Sequence, residues 1–250
     1  MGAQVDQVWL PKKQNGLNIV IHYPEFAELA SFLSDEGKAT FLDGIRSAVH
    51  HSLFPQPYWI ELFEEGSASV AVGDLSKSTV QKLMEFAEGI HKDLRLWTGT
   101  FGKIGIPPMK FGMGALVGEF NVKPDAPKIS GTALMNATDL AKNLCAQFDV
   151  SIAIESDLAR FASHAPEWVD IEDLELPGPA EGQRVSKRIF TKLTEREEPE
   201  DIQLLKSARK AFFQKDFVDA KEKFDRLSRL RQFKHLSKIY LRRIAALKKS

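Results

Sequence analysis

Cysteine and long apolar runs are what this sequence has least of. Among its 250 residues there is one cysteine, Cys145. One thiol excludes an intrachain disulfide framework and fits a reducing compartment. No stretch approaches the ~20 consecutive apolar residues that span a bilayer, so no transmembrane segment is expected. The opening MGAQVDQVWLPKKQ has no apolar core of a secretory signal. Gly2 begins a myristoylation-like start, but Asp6 stands where that signal has Ser or Thr. These absences point to a cytoplasmic protein. Nucleotide-binding loops are missing too. Gly102-Lys103 is followed by Ile104, so there is no phosphate-cradling Walker loop, and Gly112-Met113-Gly114 with Gly118 is followed by a strand pattern instead of the helix a dinucleotide loop needs. Histidines 22, 50, 51, 91, 164 and 235 show no metal-ligand spacing.

The chain does have a 43% apolar composition, enough for a proper core, and an uneven charge. Residues 201–250 hold 15 Lys/Arg against 5 Asp/Glu, a net of +10; the first 200 residues hold 19 against 29, a net of −10. A basic tail on an acidic body can fold back on it, or seek an acidic protein, a membrane surface or nucleic acid. The tail's aromatics sit at core spacing and are not interleaved for base stacking, so nucleic acid is not expected.

Leu17–Tyr23 (LNIVIHY) reads as a buried strand ended by Pro24. Glu25–Leu33 and Glu36–Leu53 follow with helical spacing. YWIELF (Tyr58–Phe63) and SASVAV (Ser67–Val72) around Glu64-Glu65-Gly66 form a hairpin. Asp74 caps a helix that carries Val80, Leu83, Phe86 and Ile90 on its apolar face, and a Gly-rich loop, Trp97–Pro108, ends it. Two strands are expected in Met109–Val122, split as MKFGMGAL and GEFNV, then a Gly-initiated helix over about Thr132–Gln147 with Cys145 on its apolar face. Val150–Ile154 is a strand, Glu155–Phe161 a short helix, and Val169–Leu176 and Arg184–Leu193 a last hairpin across Pro177–Gly182. The order gives an α+β fold: a ferredoxin-like βαββαβ core, an antiparallel or mixed sheet with helices on one face, and a helical C-terminal extension. Four regions are expected: an N-terminal segment 1–16, a domain over 17–193, a linker 194–201, and a basic tail 202–250. In the tail, Ile202–Arg229 reads as two helices turning at Gln214-Lys215-Asp216, with the small-large spacing of a tetratricopeptide-like pair, and Phe233–Leu247 as a third helix. One such unit cannot bury its own face and must pack on the body, a second copy or a partner.

The run Met109–Leu140 resembles the second half of a class III adenylate/guanylate cyclase homology domain. Leu134-Met135-Asn136-Ala137-Thr138-Asp139-Leu140 lies on that family's V-N-x-A-x-R-L, and Val20-Ile21-His22-Tyr23-Pro24-Glu25-Phe26 on its F-x-D-I-x-G-F. The element order is similar over Leu17–Leu193, and a similar helical tail follows some bacterial cyclase domains. The resemblance implies two magnesium ions on two Asp residues, with an Asn and an Arg supplied by a partner subunit. Here His22 falls on the first Asp, Glu65 on the second, Met135 on the Asn and Asp139 on the Arg. Imidazole suits softer metals than magnesium. Asp139 would repel a triphosphate. Met135 cannot donate a hydrogen bond, and Asn136 is ~100° away around the helix. The family's purine-selecting Lys is missing, because no lysine occurs between Leu53 and Asp74.

The expectation is therefore a pseudo-cyclase without catalytic residues: a dimerising regulatory or protein-interaction module, homodimeric or paired with a cyclase-like domain, with no cofactor of its own. Two alternatives stay open. One is a cyclase active only with a partner chain, which would need Mg2+ and ATP or GTP. The other is a sensor that binds a nucleotide or other small ligand without turnover.

Overall fold

The computed structural model describes residues 13–73, 80–122, 128–159, 168–193 and 199–247. One eight-stranded sheet organises them, in the order β2-β3-β1-β4-β6-β8-β7, with a short β5 paired to β4. The strands are β1 (Lys13–His22), β2 (Tyr58–Phe63), β3 (Ser67–Val72), β4 (Gly112–Val122), β5 (Ile129–Ser130), β6 (Ile152–Glu155), β7 (Trp168–Pro177) and β8 (Arg184–Lys192). All pairings are antiparallel except β4 with β6. The hairpin β2–β3 turns at Gly66, whose φ of 79° suits a residue without Cβ.

Three strand expectations change. β1 starts at Lys13, four residues before the expected strand and inside the expected N-terminal segment. Its first residues pair only with β4, and pairing with β3 begins at Leu17, so polar Gln14 and Asn15 are tolerated there. The two strands expected in Met109–Val122 are one, because Gly118 stays in the ladder opposite Gly16. Glu155 ends β6, and the short helix expected there begins one residue on, at Ser156.

Helices cover both faces of the sheet, not one. Alternation along the strands explains this: Leu17, Ile19 and Ile21 point to one core, Val20 to the other. The first core is closed by α1 (Phe26–Ala30), α2 (Asp35–Leu53), α3 (Val80–Thr98) and α6 (Ser156–Ala159). Ser34 caps α2, accepting from Gly37 N at 3.1 Å, a contact worth about 1 kcal/mol. The expected Asp74 cap lies outside the described residues. The expected Gly-rich loop begins with the last turn of α3 and contains a 3-10 turn at Phe101–Ile104.

The second core is closed by α4 (Thr132–Asp139), a π-helical turn (Leu140–Leu144) and α5 (Cys145–Phe148), which run as one helix. Three glycines let this helix lie directly on β4. A Cβ at Gly114 would come 2.1 Å from Ala137 O, one at Gly112 would come 2.1 Å from Ala141 O, and one at Gly118 would come 2.7 Å from Ala133 Cβ. Ala133, Ala137 and Ala141 recur every fourth residue, so small residues meet glycines along the whole contact. Cys145 is buried here, and burial pushes its thiol up to about 12.

The same core continues into α7 (Pro199–Phe213), α8 (Phe217–Leu227) and α9 (Lys234–Leu247). The tail thus packs on the body, and it does so at a bulge in β7. The register shifts between Asp170 and Glu172, and the Ile171 carbonyl there accepts from Arg209 Nη1 at 2.5 Å and from the Tyr240 hydroxyl. Arg209, 1% exposed, also reaches Asp170 at 3.0 Å and lies 4.6 Å from the Phe213 ring centroid. Arg243 pairs with Glu172 at 2.5 Å, and Tyr240 stacks on Phe224 at 4.6 Å.

Two outcomes are expected in urea unfolding. Gly114→Ala lowers stability by about 1–3 kcal/mol through overpacking against α4, whereas Gly102→Ala, with nothing within 4 Å of the new methyl, stays within about 0.5 kcal/mol of the parent. Arg209→Ala costs on the order of 3 kcal/mol, because it strands a buried carbonyl and Asp170.

Candidate functional site

His22 is the last residue of β1, between Ser67 of β3 and Gly112 of β4. Its Nδ1 lies 2.9 Å from Ser67 Oγ. Burial first, then the charge of Lys142, holds its pKa below the usual histidine range, opposed by Glu65. Glu65 is exposed on the β2–β3 turn, two residues before Ser67, the residue that pairs with His22 across the ladder. The structure therefore brings together the two positions where the resemblance implies metal ligands, but as a neutral imidazole and a single carboxylate. Magnesium demands a near-octahedral set of oxygens. A ring nitrogen engaged by Ser67 and one carboxylate on a turn do not fit it. Among the described residues no three His, Cys, Asp or Glu side chains gather as a metal-binding group.

Met135 and Asp139 both lie on the outer side of α4. Met135 is 68% exposed and flanks the β7–β8 turn, beside Pro177 and Pro179. Asp139, one turn on, accepts from Asn143 Nδ2 at 2.5 Å. Asn136 points the other way: it is buried, and its Nδ2 donates to Pro177 O at 3.0 Å. This amide ties α4 to the end of β7 and is not displayed at the surface. On β2, Glu61 accepts from Ile129 N at 3.0 Å, so a carboxylate fastens β5 on the strand where the family carries its lysine.

Two cavities flank α4. One, of about 580 Å3, opens beside His22, with Arg95, Lys110 and Lys142 in its wall together with Glu25 and Asp149. Lys110 is paired with Asp149 at 2.6 Å. The π turn adds a residue to the helix there, a feature frequent at functional sites, and it sets Lys142 close enough to depress the pKa of His22. Behind this cavity His91 is buried, its Nε2 2.8 Å from Ser151 Oγ. Burial, then Arg95 and Lys192, push its pKa down to about 3. The other cavity, of about 570 Å3, lies beyond the end of β6, between β4 and β8. Its polar wall is Glu155, fully buried, which accepts from Val117 N at 2.7 Å and pairs with Lys187 at 2.7 Å; Lys187 also pairs with Asp157. Burial raises the Glu155 pKa, and the ammonium opposes that.

Sequence reasoning missed both cavities. The signal for the second was a charged residue closing an apolar run, VSIAIE. The first had none, because Arg95, Lys110 and Lys142 come from three separate segments.

No family model matches this sequence, and no curated protein matches it. The fold does match solved structures. The adenylyl cyclase CyaB from P. aeruginosa is 16% identical, over 74% of this chain and 96% of that one, with a TM-score of 0.53. The guanylyl cyclase Cya2 is 13% identical, over 74% and 95%, with a TM-score of 0.50. The guanylate cyclase domain of RhGC from Catenaria anguillulae, solved with GTP, is 10% identical, over 74% and 100%, with a TM-score of 0.50. The chain thus has the α+β fold of class III adenylate/guanylate cyclase domains. Among the described residues no helix is long and apolar enough to cross a membrane.

The buried His91 gives a pH dependence with a defined sign. The unfolded chain takes up its proton near pH 6.5, whereas the folded chain resists protonation down to about pH 3. Its contribution is present above pH 6.5 and is lost as pH falls, by up to about 1.4 kcal/mol per pH unit in that window. Urea titrations at successive pH values should show a shallower acid slope for His91→Gln than for the parent.

Proposed function

We propose that this chain is a catalytically degenerate cyclase-like protein that acts as a dimerising regulatory or protein-interaction module. The observation that carries the reading is His22: the place implied for the first metal carboxylate holds a half-buried imidazole bonded to Ser67. Met135 and Asp139 depart from the family pattern in the same direction, away from holding a triphosphate, and Glu65 alone keeps an oxygen ligand. The dimer follows from the resemblance, in which the α4 surface faces the partner's metal positions, and the 68% exposure of Met135 leaves that surface available. With Mg2+ or Mn2+ and ATP or GTP, the purified chain is expected to form no cyclic nucleotide; measurable turnover by the chain alone would overturn the reading.

One observation favours a second reading, the non-catalytic sensor. The cavity beside His22 has the size of a small-ligand site, and Arg95 and Lys142 suit an anionic group there. A nucleotide panel followed by thermal shift tests it: a stabilising ligand that loses its effect in Arg95→Gln and Lys142→Gln supports the sensor, and a flat panel removes it. Rising turnover when the chain is mixed with an active cyclase would favour the partner-dependent enzyme instead.

A further inference from the structure

From Arg226 to the end, 25 residues carry nine Lys/Arg and no Asp/Glu. A solvated helix face ordinarily mixes signs, since i,i+4 pairs of opposite charge support it. The acids of the tail lie earlier, and α8 uses them internally: Asp219 with Lys223, Asp225 with Lys221. Of the nine cations, Arg243 is spent on Glu172. Among the described residues no carboxylate pairs with Arg226, Arg229, Arg231, Lys234, Lys238 or Arg242.

Their placement on α9 is ordered. Leu236, Tyr240 and Ile244 are buried against the body, and His235 Nε2 reaches Gln147 O at 2.7 Å, so the rotation of the helix is fixed. Lys234, Lys238 and Arg242 are all exposed. At about 100° per residue they fall in one stripe, on the side of α9 away from the buried residues. The helix has no acid in its first turn, and Lys234 opens it just after Arg231. Cations at the positive end of a helix dipole work against stability, so the helix itself does not account for them.

We propose that this stripe is a docking surface for an anionic lipid bilayer, held by charge alone. A straight row of ammonium and guanidinium groups on the outer side of one helix can meet a plane of headgroups along its whole length. Nucleic acid fits less well, because the aromatics of this region, Phe224, Phe233 and Tyr240, are all buried and none is offered to bases. The inference stands apart from the question of catalysis.

Co-sedimentation of the full chain with vesicles tests it. Binding is expected to phosphatidylcholine vesicles containing phosphatidylserine, not to phosphatidylcholine alone, and is expected to fall with added salt. The triple variant Lys234→Gln, Lys238→Gln, Arg242→Gln should lose affinity on the order of 100-fold with an unchanged melting temperature. A charge-matched variant, Lys38→Gln, Arg46→Gln, Lys103→Gln, should keep it. Absence of binding, equal loss in both variants, or binding to duplex DNA without binding to vesicles would each overturn the proposal.

Discussion

The contact between α4 and β4 is the constraint on which most of this structure rests. A helix normally keeps its distance from a sheet because side chains stand between them. Here Gly112, Gly114 and Gly118 remove the side chains on the strand, and Ala133, Ala137 and Ala141 shrink them on the helix. Backbone therefore meets backbone, and the helix cannot slide or lift without opening a void. From this one fixed element the surroundings follow. Asn136 is turned inward onto Pro177, Met135 is turned outward, and Lys142 is carried by the π turn to the neighbourhood of His22.

The second anchor is the bulge of β7. A bulge leaves one strand residue without its ladder partner, and an orphaned buried carbonyl is costly. The Ile171 carbonyl is taken by Arg209 and Tyr240 from two different tail helices. A guanidinium suits this place because it satisfies the carbonyl and Asp170 together while its face lies against Phe213 and Tyr240. The tail is thereby part of the second core. Its inner charges are spent on Asp170 and Glu172, and its outer charges are left facing away.

The sequence made local patterns legible and left relations between segments obscure. YWIELF and SASVAV were readable to the residue, because alternation and a turn glycine occur within a few positions. The tail turn at Gln214-Lys215-Asp216 was readable for the same reason. β4 was misjudged because a glycine in a strand signals either a break or a close approach, and only the alanines some fifteen residues later decide between them. Helices on both faces were missed because a run such as LNIVIHY, buried on both sides, shows no polar face. At the candidate site the resemblance pointed to His22 and Glu65, whereas the cations around His22 come from α3, the segment before β4 and the π turn, and no spacing in the chain connects them.

The side chains around His22 and the packing of the scaffold are separate features of this chain. Holding a metal-bound triphosphate takes concentrated negative charge for the ions and positive charge facing the phosphates. Where the resemblance implies one carboxylate, β1 ends in the imidazole of His22, with Lys142 near enough to lower its pKa; Glu65 keeps a carboxylate at the other, and Asp139 stands where a guanidinium is implied. Each replacement is tolerated by the fold because none of the four side chains carries the packing. Met135, Asp139 and Glu65 are exposed, and His22 is satisfied by Ser67 alone. The residues that do carry the packing, the glycines of β4 and the alanines of α4, bear no charge. Packing of the helix on the sheet thus places no demand on these four side chains, and the same fold is compatible with different residues at their positions.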